Sequence, residues 1–320
     1  MKLLITGGCG FIGSNITEYF LENKLFDSII IVDNLSTGFM QNIQHLLEKY
    51  TNLKFIEGDI KDIEFCQNIT KNIDAICHQA ATGSVPRSIN DPFFYHKNNV
   101  DGFFNLLIAA KENGCRRFVY ASSSSVYGDE VSLPKIEGKT GDVLSPYAAT
   151  KKINEIYANV FHKCYGMEII GLRYFNVFGE KQNPNGEYAA VIPKFIDYVN
   201  NEKSPTIYGD GSFSRDFTYV RNVVHANYLA LTTTNPKCFG EIFNIGAGGR
   251  VTINDIFYKI CEIMGANIAP NYQPNRKGDI PHSNASIEKA GHMLEYVPEC
   301  GFEEGLRKTI AYFMGLKKIE

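Results

Sequence analysis

Tyr147 and Lys151 stand four residues apart in Ser145-Pro-Tyr-Ala-Ala-Thr-Lys151. On a helix that spacing puts both side chains on one face, so an ammonium can sit near a phenol. Proline suits the first turn of such a helix. A free tyrosine titrates near pH 10, and a useful phenolate at pH 7 requires the charged form to be stabilised by roughly 3 units, about 4 kcal/mol. In Val119-Tyr-Ala-Ser-Ser-Ser-Ser-Val-Tyr-Gly-Asp129, four hydroxyls, Ser122 to Ser125, follow an apolar run, and Ser123 lies 24 residues before Tyr147. A serine at a strand end can bridge a substrate oxygen and the tyrosine, which takes a proton as hydride leaves the same carbon. These residue types point to interconversion of an alcohol and a ketone.

A hydride needs an acceptor, and the start of the chain offers a place for one. Gly7, Gly10 and Gly13 are spaced by three between an apolar run and a helical stretch. Glycines at that spacing allow a tight turn and close approach to a pyrophosphate at the helix N-terminus. Asp33 ends the second apolar run, 20 residues after Gly13. A carboxylate there accepts hydrogen bonds from the ribose hydroxyls of NAD and repels the extra phosphate of NADP. No arginine follows it in Asp33-Asn-Leu-Ser-Thr-Gly38, so NAD is the expected cofactor. The positive nicotinamide ring and Lys151 together can supply the stabilisation that a Tyr147 phenolate needs.

The elements that must position these groups are read from the rhythm of the first half. Short β-branched runs (KLLIT, SIIIVD, LKFIEGD, DAICHQA, RRFVYASS, EIIGLRYF) alternate with helical stretches, among them one long helix within 91–113 and another over 146–165. Near-continuous apolar strands alternating with helices predict an α/β fold, a doubly wound parallel sheet covered on both faces. Beyond Asn176 the rhythm breaks into loops rich in Gly, Pro and Asn. The expected division is a cofactor domain over 1–175, with 217–245 returning to it, and a smaller substrate domain over 176–216 and 246–320. Such a domain would close over the carboxyl ends of the strands, where these sheets bind ligands.

Composition limits the partners. A net charge of −3 and a pI near 6.2 offer no broad basic surface for nucleic acid. No run approaches the length of a membrane span, which leaves a soluble, cytoplasmic protein as the expectation. The eight cysteines include no CxxC and sit in apolar runs, so they read as buried reduced thiols with no metal site.

The pattern Thr6-Gly-Gly-x-Gly-Phe-Ile-Gly13, Asp33-Asn34-Leu35, Gly58-Asp59-Ile60, His78-Gln79-Ala80-Ala81, Ser-Ser-x-x-Val-Tyr-Gly, Tyr-x-x-x-Lys and Arg173-Tyr-Phe-Asn176 resembles the extended short-chain dehydrogenase/reductase family. The resemblance spans essentially the whole chain. Within that Rossmann-like family it is most similar to UDP-hexose 4-epimerases, and to the bacterial branch acting on UDP-N-acetylglucosamine and UDP-N-acetylgalactosamine. It implies a redox-neutral reaction through a 4-keto sugar, with Tyr147 as base, Lys151 and Ser123 as partners, and a homodimer built on the two long helices. It also implies cofactor contacts from Phe11, Ile12, Asp33, Asn34, Ser36, Thr37, Gly38, Asp59, Ile60, Gln79, Ala80, Ala81, Asn99, Tyr147, Lys151 and Phe175. The UDP would be held by Asn176, Val191, Tyr208, Arg215, Arg276 and Asp279, where arginine forks suit a diphosphate.

Departures from the UDP-galactose enzymes bear on the sugar. Gly83 replaces their lysine, Ser283 their bulky aromatic residue and Ala190 an asparagine, and each change makes room. Ser84, Ser124 and Gln182 are candidates to meet an acetamido group at C2, because a buried unpaired amide would cost about 1 to 3 kcal/mol. Ser122 is expected to support the cofactor side. A 4,6-dehydratase would carry Thr-Asp-Glu where Ser123, Ser124 and Ser125 stand. A UDP-glucuronate 4-epimerase is a nearer alternative, with Arg87 able to meet a carboxylate. A non-catalytic NAD sensor, from a different class, has no need for a phenolate.

Overall fold

The computed structural model describes residues 1–184, 190–275 and 281–315. Apolar β-branched runs form strands β1 (Lys2–Thr6), β2 (Ser28–Asp33), β3 (Leu53–Glu57), β4 (Ala75–His78), β5 (Arg117–Ser123) and β6 (Glu168–Tyr174). They alternate with helices α1 (Phe11–Glu22), α2 (Gln44–Lys49), α3 (Ile63–Ile69), α4 (Val85–Asn90), α5 (Pro92–His96), α6 (Gly102–Glu112) and α7 (Pro146–Tyr165). Every pairing in the main sheet is parallel, in the order β3-β2-β1-β4-β5-β6. A seventh strand, Ile242–Ile245, pairs parallel with β6 at the far edge. The doubly wound parallel sheet expected from the sequence is therefore present.

Each face of the sheet has its own core. On one side Ile16, Phe20, Val223, Val224 and Leu231 pack over Leu3, Ile5 and Ile170, bringing α1 together with the helix Val220–Thr232. On the other, Phe103, Leu106, Leu107, Ala158 and Phe161 of α6 and α7 cover Leu4, Ile76, Phe118 and Ile169. A third cluster, with Phe195, Phe257, Ile260, Leu306 and Ile310, joins the helices Val191–Asn200, Ile253–Met264 and Phe302–Phe313 into a separate lobe.

Two departures from the sequence reading have physical causes. The long helix expected within 91–113 runs without interruption from Pro92 to Glu112, but carries a π turn over Lys97–Asp101 between α5 and α6. Asn99 lies in that turn and its amide is committed to the neighbouring Thr82 backbone. The span 246–320 does not belong uniformly to the second lobe. Helix Glu288–Leu294 and Tyr296 pack into the sheet core, because the edge strand Ile242–Ile245 needs cover that Ala290 and Leu294 supply.

Among the described residues no helix is long and apolar enough to cross a membrane. The cysteines are free, and only Cys164 is exposed.

Candidate active site

The carboxyl ends of β1, β2, β3 and β4 converge on a groove that is open to solvent. Its walls include Gly7, Gly10, Asp33, Asn34, Ser36, Thr37, Asp59, Ile60, Gln79, Ala80 and Ala81. Thr82 and Asn98, which sequence reasoning missed, also line it. Their signal was positional only, since each directly adjoins an expected contact in the chain. Gly7 adopts φ +70°, and a Cβ there would lie 2.6 Å from the Ala80 backbone nitrogen. Gly13 packs so tightly that a Cβ would meet the Gly7 carbonyl at 2.2 Å. Asp33 is buried and accepts from Cys9 N at 3.0 Å and Leu35 N at 2.9 Å. Burial pushes its carboxyl above the usual range, while the Leu35, Cys9 and Asn34 amides pull the other way. Gln79 is fixed from behind, its Nε2 donating to Asn227 at 3.0 Å and its Oε1 accepting from the Tyr174 hydroxyl at 3.1 Å.

Four expected cofactor residues direct their side chains elsewhere. Phe11 and Ile12 open α1, but Phe11 packs on the core of the second lobe and Ile12 on the first-face core. Asn99 bonds Thr82 in both directions, at 2.8 and 3.0 Å, and donates to Thr150 at 3.2 Å, which makes it a strut between the groove wall and α7. Phe175 is fully buried with Tyr127 and Ala285 where the lobes meet. Gly38 comes close to Asp33, since a Cβ on it would sit 2.9 Å from Asp33 Oδ2.

Beside the groove, Ser145 caps α7 by accepting from Ala148 N at 3.1 Å, with Pro146 in the first turn. Tyr147 is half-buried, its amide donates to Ser88 Oγ at 3.1 Å, and its ring meets Tyr95 edge-on at 6.3 Å. Burial pushes its phenol up, and hydrogen bonding with Ser123 opposes this. Lys151 is buried, donates from Nζ to the Ala121 carbonyl at 2.9 Å, and is pulled down to about 8 by burial, with Glu155 acting in the opposite sense. Ser123 also accepts from Ser125 N at 3.2 Å, capping the short turn Ser124–Tyr127. Ser122 does not face the cofactor side: its hydroxyl donates to Glu155 on α7 at 2.6 Å.

The remaining expected substrate residues lie on two parts of the molecule, outside the residues that line the groove. On the first, Gly83 is exposed and a Cβ on it would meet nothing within 4 Å. Ser84 caps α4 by accepting from Arg87 N at 3.3 Å, with φ +153°. On the second, Arg215 and Ser283 stand side by side in a parallel pair of short strands, and Arg215 Nη1 donates to the Ser214 and Pro281 carbonyls, both at 3.0 Å. Asn176 donates to the Asp216 carbonyl at 3.2 Å. Ala190 caps the helix that Val191 begins, and Tyr208 lies on a half-exposed strand. Gln182 Nε2 donates to the Val177 carbonyl at 3.1 Å, while its Oε1 is buried with no partner among the described residues. Arg276 and Asp279 lie outside the described residues.

Residues 3–246 match the NAD dependent epimerase/dehydratase family. The chain belongs to that family. A solved UDP-N-acetylglucosamine 4-epimerase from Methanobrevibacter ruminantium, in complex with UDP-N-acetylmuramic acid, is 39% identical with a TM-score of 0.92, covering 98% of each chain. A UDP-glucose 4-epimerase from Thermotoga maritima, solved with UDP-glucose, is 35% identical with a TM-score of 0.91, covering 98% of this chain and 99% of its own. A UDP-glucuronate 4-epimerase of Thermodesulfobacterium geofontis is 34% identical over 315 residues, 96% of this chain and 94% of its own.

The groove fits the cofactor of this NAD-dependent family. No side chain caps the first turn of α1 and no acidic residue stands in it, so its amides are left for a pyrophosphate. The Gly7 and Gly13 packing brings backbone close to that position, and Asp33 at the end of β2 lines the same groove, where it would meet ribose hydroxyls.

Proposed function

We propose that the chain interconverts the C4 epimers of a UDP-N-acetylhexosamine, UDP-GlcNAc and UDP-GalNAc, with UDP-Glc and UDP-Gal as further substrates. The buried, unpartnered carbonyl oxygen of Gln182 carries the choice of an acetylated sugar. An orphaned acceptor costs about 1 to 3 kcal/mol, which an acetamido N–H would offset. The open space over Gly83, and a small Ser283 beside Arg215, leave volume for the same group. Ser84 and Ser124 add hydroxyls.

In this reading Tyr147 takes the proton from the sugar 4-hydroxyl and returns it to the same oxygen after the 4-keto sugar has turned over. Ser123 holds that oxygen and the phenol in line. Lys151 favours the phenolate through its charge. Arg215, together with Asn176 and Tyr208, holds the UDP while the sugar end moves. NAD supplies a reversible hydride store at C4, so the net reaction consumes no oxidant.

A uronate reading has its own support in the relative from T. geofontis and in exposed Arg87, one helical turn from Ser84, with its guanidinium 5.4 Å over the Phe94 ring. Purified protein given UDP-GlcNAc, UDP-Glc and UDP-GlcA separately, with no NAD added beyond what saturates it, distinguishes the two. Conversion of UDP-GlcNAc is expected; conversion of UDP-GlcA alone assigns the uronate activity instead. Tyr147→Phe should retain NAD yet lose turnover at least a thousandfold.

We infer a homodimer formed through α7 and its neighbours, supported by Ile156 and Val160, which are one turn apart and 56% and 44% exposed. A cytoplasmic location accords with the reduced cysteines.

A further inference from the structure

Glu155 and Arg173 are buried charges, 4% and 2% exposed, to which the chemistry above gives no task. Glu155 lies four residues beyond Lys151 and eight beyond Tyr147, so the three form one stripe along α7. Its Oε1 accepts from the Ser122 hydroxyl at 2.6 Å and from Arg173 Nε at 2.8 Å, and its Oε2 accepts from Arg173 Nη2 at 2.9 Å. Arg173 Nη1 donates to the Glu137 carbonyl at 3.0 Å, and its guanidinium lies 4.8 Å over the Tyr127 ring. Three successive residues of β5 thus meet the stripe: the carbonyl of Ala121 takes Lys151, Ser122 donates to Glu155, and Ser123 stands close enough to Tyr147 to pull its phenol down.

A buried ion pair is weak evidence for stability, since apolar residues of similar volume often serve as well. A two-point pair placed one turn behind a buried ammonium has an electrostatic use that apolar residues lack. We propose that Glu155 is a positioning residue, held by Arg173 and Ser122, that keeps Lys151 charged and in register with β5. This rests on Tyr147 and Lys151 having the roles given above.

Other groups facing this side of α7 leave Glu155 to do the work. They are His78 on β4, Tyr120 on β5, Tyr127 in the following turn, Arg173 on β6 and Tyr95 on α5, with half-exposed Lys152 on α7 at 3.8 Å from Glu155 Oε2. Burial and the nearby Lys151 hold His78 down at about 3, and burial pushes Tyr120 far up, so both are neutral in the working range. Among the described residues, Glu155 is the anion that acts on Lys151.

A double-mutant cycle of Glu155→Gln and Lys151→Met, read by thermal unfolding of the NAD-loaded protein, tests this without turnover. At pH 7, Glu155→Gln is expected to lower Tm in both backgrounds, because Arg173 loses its partner, and by about 3 °C less with Met at 151. The difference should shrink at pH 10. Additive losses at both pH values overturn the proposal. With whichever UDP-sugar the protein converts, the alkaline limb of kcat/KM should move about one pH unit lower in Glu155→Gln and higher in Arg173→Gln. Limbs that stay in place while kcat alone falls also overturn it. Thermal coupling in a protein that converts no UDP-sugar would sink the epimerase reading and leave the Glu155 to Lys151 interaction standing.

Discussion

Lys151 shows how a buried charge weighs on the fold. Its ammonium is buried and drawn from 10.5 to about 8, a shift on the order of 3 kcal/mol against the folded state at pH 7. The cost is complete below pH 8. It fades between about 8 and 10.5, where the folded protein holds a neutral amine while the unfolded chain still binds a proton. Lys151→Met should therefore raise Tm at pH 7 while abolishing turnover, less about 1 kcal/mol for the stranded Ala121 carbonyl. Melting curves at pH 7 and 10 check the sign, with a smaller gain expected at pH 10. At the opposite end of the groove, Asp33→Ala should narrow the preference for NAD over NADP at least tenfold, measured by titrating each nucleotide. Tyr147, Lys151 and Asp33 were legible because their partners are close in the chain or belong to a fixed motif. Ser122, Asn99 and Glu155 were not, since their partners lie 33, 17 and 18 residues away and only the folded sheet brings them together.

At the scale of elements, the strands and α7 could be read almost to the residue, because buried parallel strands are continuous apolar runs and α7 carries a Ser cap, a first-turn Pro and a closing Gly166. The π turn at Lys97–Asp101 left no such mark. A π turn adds a residue without changing composition, and here it carries Asn99, whose amide grips Thr82. Asn99→Ala should then loosen the groove wall, with weaker NAD binding by roughly tenfold and little change in helix content by circular dichroism. On the outer side of α7, Ile156→Glu should shift the protein toward a monomer in light scattering; an unchanged mass would place the subunit contact elsewhere.

Across the whole molecule, the chain leaves the sheet after β6, builds part of the second lobe, and returns through the helix Val220–Thr232 to add Ile242–Ile245 as the last strand. Asp216 ties that crossing together, accepting from Ala247 N at 2.8 Å, Gly248 N at 3.0 Å and Ala285 N at 3.2 Å. Asp216→Asn should cost about 1 to 3 kcal/mol and raise KM for the UDP-sugar more than it lowers kcat, because Arg215 is its neighbour. The docking of Ala290 and Leu294 on the first lobe was not legible in the sequence, since a short helix carries too few apolar positions to reveal its partner.

The threaded path also governs how the protein can be cut. A chain ending at residue 175 would look like a complete nucleotide-binding module, yet it would bare the whole edge of β6 and strip Val223, Val224 and Leu231 from the face over Leu3 and Ile5. Unpaired parallel edges recruit other chains. Such a fragment should aggregate on expression, and adding back 217–245 alone as a separate peptide should restore solubility only by refilling that edge.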